Sequence, residues 1–284
     1  MLLPGSLMKI DFLDEPELEF GEGGHIDIRF GLMDYGPLDV LSELAPRAIR
    51  VGIVGTPATV EGTRDWLDKC RNEIPAKKSS HPTLFPKFPG FCAEAAFRST
   101  LVHDSTLERT IPDDVFSELL THENGDEIVE KSVNLVVKEF EYLTENSPAD
   151  VLICAVPPQL VTLMDPDLRP GGRAANPLDF HDMLKARSMG LRPIQLVLPG
   201  TYDPSARRKQ KIHADRVRPL QDEATRAWNF HTALYYKARG FPWRLARDAS
   251  QFTTCFVGVS FYRSLDGGNL MTSMAQIFDE RGDG

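Results

Sequence analysis

Four polar residues in the second half of the chain have types and spacing that suit the binding of a terminal phosphate. His181 and Lys185 are four residues apart in a stretch of helical character, so they are predicted to project from one helix face. Gln195 lies in the apolar run that follows, and Lys237 lies in the last turn of another predicted helix. Two ammonium groups, an imidazole and an amide supply the donors that phosphate oxygens need. Spacing alone also fits a solvated helix face.

The elements that would position these residues alternate between strands and helices. Apolar runs predict strands at 49–55, 151–156 and 194–198, and periodic stretches predict helices at 58–71, 126–144, 177–188 and 222–239. Asn176 is the predicted N-cap of the third helix and Asp222 that of the fourth. This alternation predicts an α/β, Rossmann-like domain with a parallel sheet over residues 41–250.

The two ends of the chain have a different pattern. Residues 1–40 are predicted to form an extended segment broken by glycines, with extended pieces at 17–20 and 25–30. From residue 251 onward, β-rich runs at 254–262 and 270–278 flank a turn sequence, Asp266-Gly267-Gly268-Asn269. A single hairpin is only marginally stable by itself. Residues 251–284 are therefore predicted to begin a further sheet, completed by other residues or packed on the α/β domain.

Charge is distributed unevenly along the chain. Residues 165–250 contain 16 Lys and Arg against 9 Asp and Glu, a balance of +7, whereas the other 16 basic and 32 acidic residues give −16. A basic surface can attract phosphates although the whole chain is acidic. A basic tract within this region could follow a nucleic-acid backbone, and it also fits a mobile surface loop; it contains Arg207, Arg208, Lys209 and Lys211.

The cysteines and the apolar runs favour a cytoplasmic protein. Cys70, Cys92, Cys154 and Cys255 lie far apart and match no metal-ligand spacing, so reduced core thiols are predicted. The sequence contains no apolar run of about 18 residues, the length that a spanning helix needs. Its first residues become acidic quickly and lack the features of a signal peptide.

Several segments resemble, in the same order, the MID domain and the beginning of the PIWI domain of short prokaryotic Argonautes. They are residues 30–39, residues 179–187 with 194–196, residues 227–245 and residues 275–284. The resemblance covers nearly the whole chain. It implies a Rossmann-like MID domain followed by the first hairpin of an RNase H-like PIWI domain.

The resemblance also assigns roles to individual residues. In that family the 5′ phosphate of a guide strand is held by a tyrosine or histidine, a lysine, a glutamine and a second lysine. The matching positions here are His181, Lys185, Gln195 and Lys237, with Thr232 and Arg239 as possible support. Family members usually have a glycine where this chain has Arg239. A Mg²⁺ ion bridging guide phosphates is also implied.

The same resemblance implies a binder and not a nuclease. Cleaving PIWI domains hold two divalent metals with clustered carboxylates, the first of them on the opening strand. Ser260 occupies that position here, and serine is no substitute for a carboxylate ligand. The expected ligands are an RNA guide and a single-stranded DNA target. The expected partner is an APAZ-containing effector of TIR, sirtuin-like or nuclease type, acting in defence against phages and plasmids.

Two other readings of the same residues stay open. The chain could bind a phosphorylated small metabolite on a Rossmann-like fold, in which case a longer nucleic-acid strand would add no affinity. It could also be a scaffold for an effector with a vestigial pocket. In that case changes at Lys185 and Lys237 would leave the complex with the effector unaltered.

Overall fold

The computed structural model describes residues 12–161, 164, 178–205, 220–246, 255–263 and 270–278. The strands are β1 (Leu18–Glu19), β2 (Gly24–His25), β3 (Ala48–Gly55), β4 (Thr100–Val102), β5 (Glu108–Thr110), β6 (Val151–Ala155), β7 (Ile194–Val197), β8 (Arg244–Leu245), β9 (Phe256–Arg263) and β10 (Leu270–Phe278). The helices are α1 (Ile28–Tyr35), α2 (Pro57–Lys69), α3 (Asp113–Leu119), α4 (Gly125–Asn146), α5 (Pro158–Val161), α6 (Phe180–Arg187), α7 (Pro199–Tyr202) and α8 (Glu223–Lys237). In these ranges no helix is both long and apolar enough to cross a bilayer.

A parallel sheet in the order β4-β3-β6-β7 forms the centre of the α/β part of the chain, and β5 also pairs with β3. Every pairing in this sheet is parallel, with Ile53 opposite Ile153 and Leu152 opposite Ile194. The predicted parallel sheet is thus confirmed, and its three long apolar runs are β3, β6 and β7. Among the described residues β7 pairs with β6 alone, which makes it an edge strand.

Helices cover both faces of the sheet, as a parallel sheet requires because its strands are apolar on both sides. On one face Ile53 packs in a core with residues of α2 and α8, among them the buried Trp228. On the other face Val54 packs with residues of α4 and α6, including the buried Phe140 and Leu184. Consequently α6 and α8 lie on opposite faces of one sheet.

The predicted bounds of α6 are wrong at its start. The helix begins at Phe180, and its N-cap is Asp179, whose side chain accepts a hydrogen bond from the backbone N–H of Asp182. Leu178 is held outside the helix because its N–H donates to the carboxylate of Asp126 at 2.9 Å. The predicted cap Asn176 lies outside the described residues. For α8 the predicted N-cap Asp222 is confirmed, since its side chain accepts from the N–H of Thr225.

The predicted extended piece at 25–30 is also wrong. Only Gly24–His25 is a strand, and residues from Ile28 onward form α1. Asp27 explains the difference, because its side chain caps the helix by accepting from the N–H groups of Arg29 and Phe30. The helix ends at Gly36, which has a φ of 70°.

The N-terminal segment is attached to the residues that follow α8. Strand β1 pairs antiparallel with both β2 and β8, which places Glu19 opposite Arg244. The guanidinium of Arg244 forms an ion pair with Glu19 at 2.5 Å. The division of the chain at residues 40 and 250 stays a prediction, although these contacts join the first predicted segment to the second.

The predicted C-terminal hairpin is confirmed as antiparallel pairing of β9 with β10. Its register runs from Phe256 opposite Phe278 to Arg263 opposite Leu270, with one irregularity between Thr272 and Met274. The turn residues lie outside the described ranges. Large apolar side chains of both strands are exposed, namely Phe256, Val257, Val259, Phe261, Leu270, Met271 and Ile277.

The four cysteines are free thiols, but they are not all core residues. Cys70 and Cys154 are buried, and burial raises the pKa of each thiol to about 12. Cys92 is partly exposed and Cys255 on the hairpin is exposed. The prediction of core thiols therefore holds for two positions and is wrong for Cys255.

His231 of α8 is a fully buried titratable residue in an aromatic core. Its ring lies 4.9 Å from that of Phe91 and 5.0 Å from that of Phe88. Nδ1 donates to the carbonyl of Ala227 at 2.8 Å, while Nε2 has no partner in the described structure. Burial lowers the pKa of His231 to about 4, so the folded chain keeps this ring neutral at physiological pH.

We predict that His231 makes the fold sensitive to acid. The pKa of His231 is about 4 in the folded chain and 6.5 in the unfolded chain, so the unfolded chain binds more protons between these values. The free energy of unfolding therefore falls as the pH drops through this window, by about 2 kcal/mol between about pH 7.5 and about pH 5 from this residue. Urea unfolding at both pH values should show this loss for the wild type and a smaller one for His231→Phe. Equal losses in the two proteins would contradict the prediction.

Candidate phosphate-binding site

The edge strand β7 separates the two helices that carry the predicted phosphate ligands. Ile194 and Leu196 belong to the core on the α6 face, and Val197 belongs to the core on the α8 face. Because side chains alternate along a strand, Gln195 lies on the same face as Val197. The sheet edge therefore presents Gln195 towards α8, with α6 on the other side.

A hydrogen bond joins Gln195 to Lys237 across 42 residues of sequence. The ammonium of Lys237 donates to Oε1 of Gln195, and the amide Nε2 of Gln195 donates to the carbonyl of Leu196 at 3.1 Å. The second bond fixes which end of the amide faces the lysine. Two of the four predicted ligands are thus brought into direct contact by the fold.

The positive charge of Lys185 acts on Lys237. The pKa of Lys237 is lowered to about 8, first by burial of its ammonium and second by the charge of Lys185. Among the described residues neither lysine forms an ion pair with a carboxylate. Two ammonium groups that repel each other and lack a counterion favour the binding of an anion.

His181 shares a helix face with Lys185, one turn closer to the start of α6. Its ring is 38% exposed and its Nδ1 lies 3.0 Å from the carboxylate of Asp182. Because Nδ1 faces this carboxylate, Nε2 is the ring nitrogen that could contact a ligand. His181 is therefore the member of the set with an acidic neighbour.

Thr232, a predicted support of the phosphate site, is placed less favourably than the four predicted ligands. Thr232 precedes Lys237 by five residues, which places it about 140° away around the axis of an α-helix. The helix therefore does not bring the two side chains together.

Arg187, near Lys185, does not join the site. It points to α4, where it pairs with Glu130 at 2.8 Å and donates to Asn134.

Arg239 occupies a backbone position that favours glycine. Its φ is 67°, and it follows the last residues of α8 in a Schellman motif. In this motif the N–H of Gly240 donates to the carbonyl of Tyr235 at 2.9 Å, and the N–H of Arg239 donates to that of Tyr236 at 3.0 Å. The side chain of Arg239 is exposed, two residues beyond Lys237. A glycine here would keep the turn and remove the charge.

Asp39 anchors the end of α8, which is a role that the sequence did not reveal. Its carboxylate accepts from the hydroxyl of Tyr235 at 2.7 Å and from the N–H of Phe241 at 2.9 Å. These bonds lie on both sides of Arg239 and hold the segment that carries Lys237. Asp39 belongs to the segment that resembles Argonautes, but nothing in the pattern of residue types paired it with Tyr235.

One group of residues could hold a divalent cation. Asp179, His181 and Asp182 each offer a ligand atom, and these atoms lie within 4.8 Å of one another. Carboxylate oxygens and phosphate oxygens are the ligands that Mg²⁺ prefers. The two carboxylates fit such an ion together with phosphate oxygens, although the carboxylate of Asp179 already serves as a helix cap.

The basic tract is the remaining part of the predicted interface. Its residues Arg207, Arg208, Lys209 and Lys211 lie outside the described residues. Their contact with a nucleic-acid backbone stays a prediction.

Comparisons with known proteins give a distant structural likeness and no family. No family model matches the sequence. No curated protein matches it either. Among solved structures, the chain is similar to the crystal structure of Drosophila Piwi, with 14% identity and a TM-score of 0.37 over 89% of this chain and 26% of that one. The chain thus spans about a quarter of the length of that protein. A likeness at this level assigns neither a family nor an activity.

We predict that Arg239→Gly stabilises the fold. An L-residue in the left-handed conformation is less stable than glycine by about 1 kcal/mol, and the Schellman turn requires that conformation. The free energy of unfolding, measured with urea, should therefore rise by about that amount in Arg239→Gly. Arg239→Ala is the matched control, since it removes the guanidinium but keeps a Cβ atom. An equal rise in both variants would locate the effect in the charge and not in the backbone.

Proposed function

We propose that the chain binds the 5′-phosphorylated end of a guide strand at the edge of its parallel sheet. The observation that carries the proposal is the pair of ammonium groups of Lys185 and Lys237, which repel each other and have no carboxylate partner in the described structure. A terminal phosphate would provide the missing negative charge. Because Lys237 is half-buried, its contact with phosphate is less screened by water than a contact on an open surface.

The other two residues would orient the phosphate. Gln195 is fixed by its bonds to Lys237 and to the carbonyl of Leu196, so it holds the Lys237 ammonium at the sheet edge. His181 would contribute its ring Nε2 to the contact with a phosphate oxygen, while its Nδ1 faces the carboxylate of Asp182.

The nature of the strand follows from the resemblance of the sequence to short prokaryotic Argonautes. We propose RNA as the guide and single-stranded DNA as the target that pairs with it. The proposed contacts with the guide backbone come from the tract that includes Arg207, Arg208, Lys209 and Lys211, and Arg239 is a proposed support of the 5′-phosphate site. We further propose that Asp179 and Asp182 would help to hold a Mg²⁺ ion, which would neutralise the phosphate charge that the lysines leave uncompensated.

The proposed biological role is sensing without cleavage. Ser260 lies on β9. By the resemblance to short Argonautes, β9 would open the PIWI sheet and Ser260 would stand where cleaving PIWI domains carry a metal-binding carboxylate. The bound guide and target would signal to an APAZ-containing effector of TIR, sirtuin-like or nuclease type in antiphage or antiplasmid defence. This part of the proposal depends on sequence resemblance alone.

The first test is the preference for a 5′ phosphate. Fluorescence anisotropy would compare a short RNA with a 5′ phosphate and the same RNA with a 5′ hydroxyl. We expect the phosphate to raise the affinity of the wild type by roughly tenfold or more, because a charge-assisted contact contributes about 1.5–3 kcal/mol. The double variant Lys185→Ala/Lys237→Ala should bind both RNAs equally.

The control for this test is Lys78→Ala/Lys87→Ala, which removes two exposed lysines of the loop after α2. It should keep the wild-type preference. Equal binding of both RNAs by the wild type would refute the proposal. A preference for the 5′ phosphate that survives in Lys185→Ala/Lys237→Ala would show that the phosphate binds at another site. A mononucleotide that binds as tightly as the strand would instead support a metabolite site.

The pKa of Lys237 predicts a pH dependence of the same affinity. Because this pKa is lowered to about 8, the ammonium is lost at a pH where an ordinary lysine keeps its proton. We expect the affinity for 5′-phosphorylated RNA to fall by roughly tenfold between about pH 7.5 and about pH 9. Lys237→Arg should flatten this profile, since a guanidinium stays charged. A steep fall in Lys237→Arg as well would assign the pH dependence to another group.

A further inference from the structure

A groove lies between α3 and α4, on residues that the proposed guide site does not use. Its volume is about 470 Å³, within the range of pockets that bind small organic molecules. The floor is apolar and consists of Val115 and Leu119 from α3 and Leu135 from α4. These three side chains are partly buried and pack against the core beneath them. The groove thus exposes an apolar strip that a ligand could cover.

One wall of the groove is a basic ridge on α4. Lys131, Asn134 and Lys138 follow one another at intervals of three and four residues, so they share a helix face. Lys131 already pairs with Glu127 at 2.7 Å. Lys138 is exposed and forms no ion pair with any described residue. The ridge therefore carries an uncompensated positive charge at Lys138.

A third cation reaches the same ridge from a neighbouring helix. The guanidinium of Arg187 on α6 donates to the side-chain oxygen of Asn134 and pairs with Glu130. Asn134 therefore lies between Lys131 and Lys138 on α4 and also contacts Arg187. Because Glu130 compensates Arg187 as Glu127 compensates Lys131, Lys138 is the cation that attracts a negative head group to the α4 side, and Glu118 of α3 disfavours that group on the other wall.

We propose that this groove binds an amphipathic organic anion, such as a carboxylate with a medium-length aliphatic chain. The carboxylate contacts the ammonium of Lys138, and the chain covers Val115, Leu119 and Leu135. Charge complementarity selects an anion over a cation, and the apolar floor selects a hydrocarbon tail over a small inorganic ion. The site is independent of the guide site, since the two share no ligand-contacting residue.

The test uses octanoate as the probe and isothermal titration calorimetry of the full chain. We expect saturable binding of one octanoate per chain, with butyrate roughly tenfold weaker or more because it covers less of the floor. Octanamide, which has the same chain without the charge, should also bind roughly tenfold more weakly. Lys138→Met should reduce the affinity for octanoate to that for octanamide, because methionine keeps most of the apolar stem and removes the ammonium.

The control variant is Lys78→Met, which removes an exposed lysine outside the groove and should bind octanoate as the wild type does. Thermal unfolding of each variant establishes that the fold is retained. Absence of saturable octanoate binding, or wild-type affinity in Lys138→Met, would overturn the proposal. Equal binding of octanoate and butyrate would overturn it too, since the apolar floor would then have no part in binding.

Discussion

The parallel pairing of β3 with β6 is the constraint on which the rest of the α/β structure depends. Both strands are buried on both faces, so helices must cover the sheet from two sides. Helices α4 and α6 cover one side, and α2 and α8 cover the other. Strand β7, at the edge, is where residues from the two layers approach each other. At this edge the charge of Lys185 on α6 acts on Lys237 of α8.

The candidate site is built at some cost in electrostatic energy. The fold partly buries Lys237 and exposes it to the charge of Lys185, and both effects disfavour the charged ammonium. The hydrogen bond to Gln195 offsets part of this cost without adding a negative charge. A site that keeps two like charges close and uncompensated favours the binding of an anion. Arg187, on the same helix as Lys185, shows the usual arrangement instead, because its charge is paired with Glu130.

The sequence predicts the elements of this site better than their contacts. The apolar runs give β3, β6 and β7, and Asp222 gives the start of α8, because these signals are local. Strands β4 and β5 have three residues each, which is too few for an alternating pattern. The sequence does not predict α1, because its helical periodicity is weak and the helix depends on the cap at Asp27. The contact between Gln195 and Lys237 depends on the packing of two layers, so residue spacing alone could not predict it.

The pairing of β1 with β8 has a topological consequence. The N–H of Ala246 donates to the carbonyl of Glu17 at 2.8 Å, so the two ends of the α/β unit lie side by side. Chain ends that are this close allow a circular permutation, in which a short linker joins them and new ends open in a surface loop. The same fold could thus form with its elements in a permuted order along the chain. The segment before β3 and the segment after α8 are adjacent in the structure, although more than 200 residues separate Glu19 from Arg244.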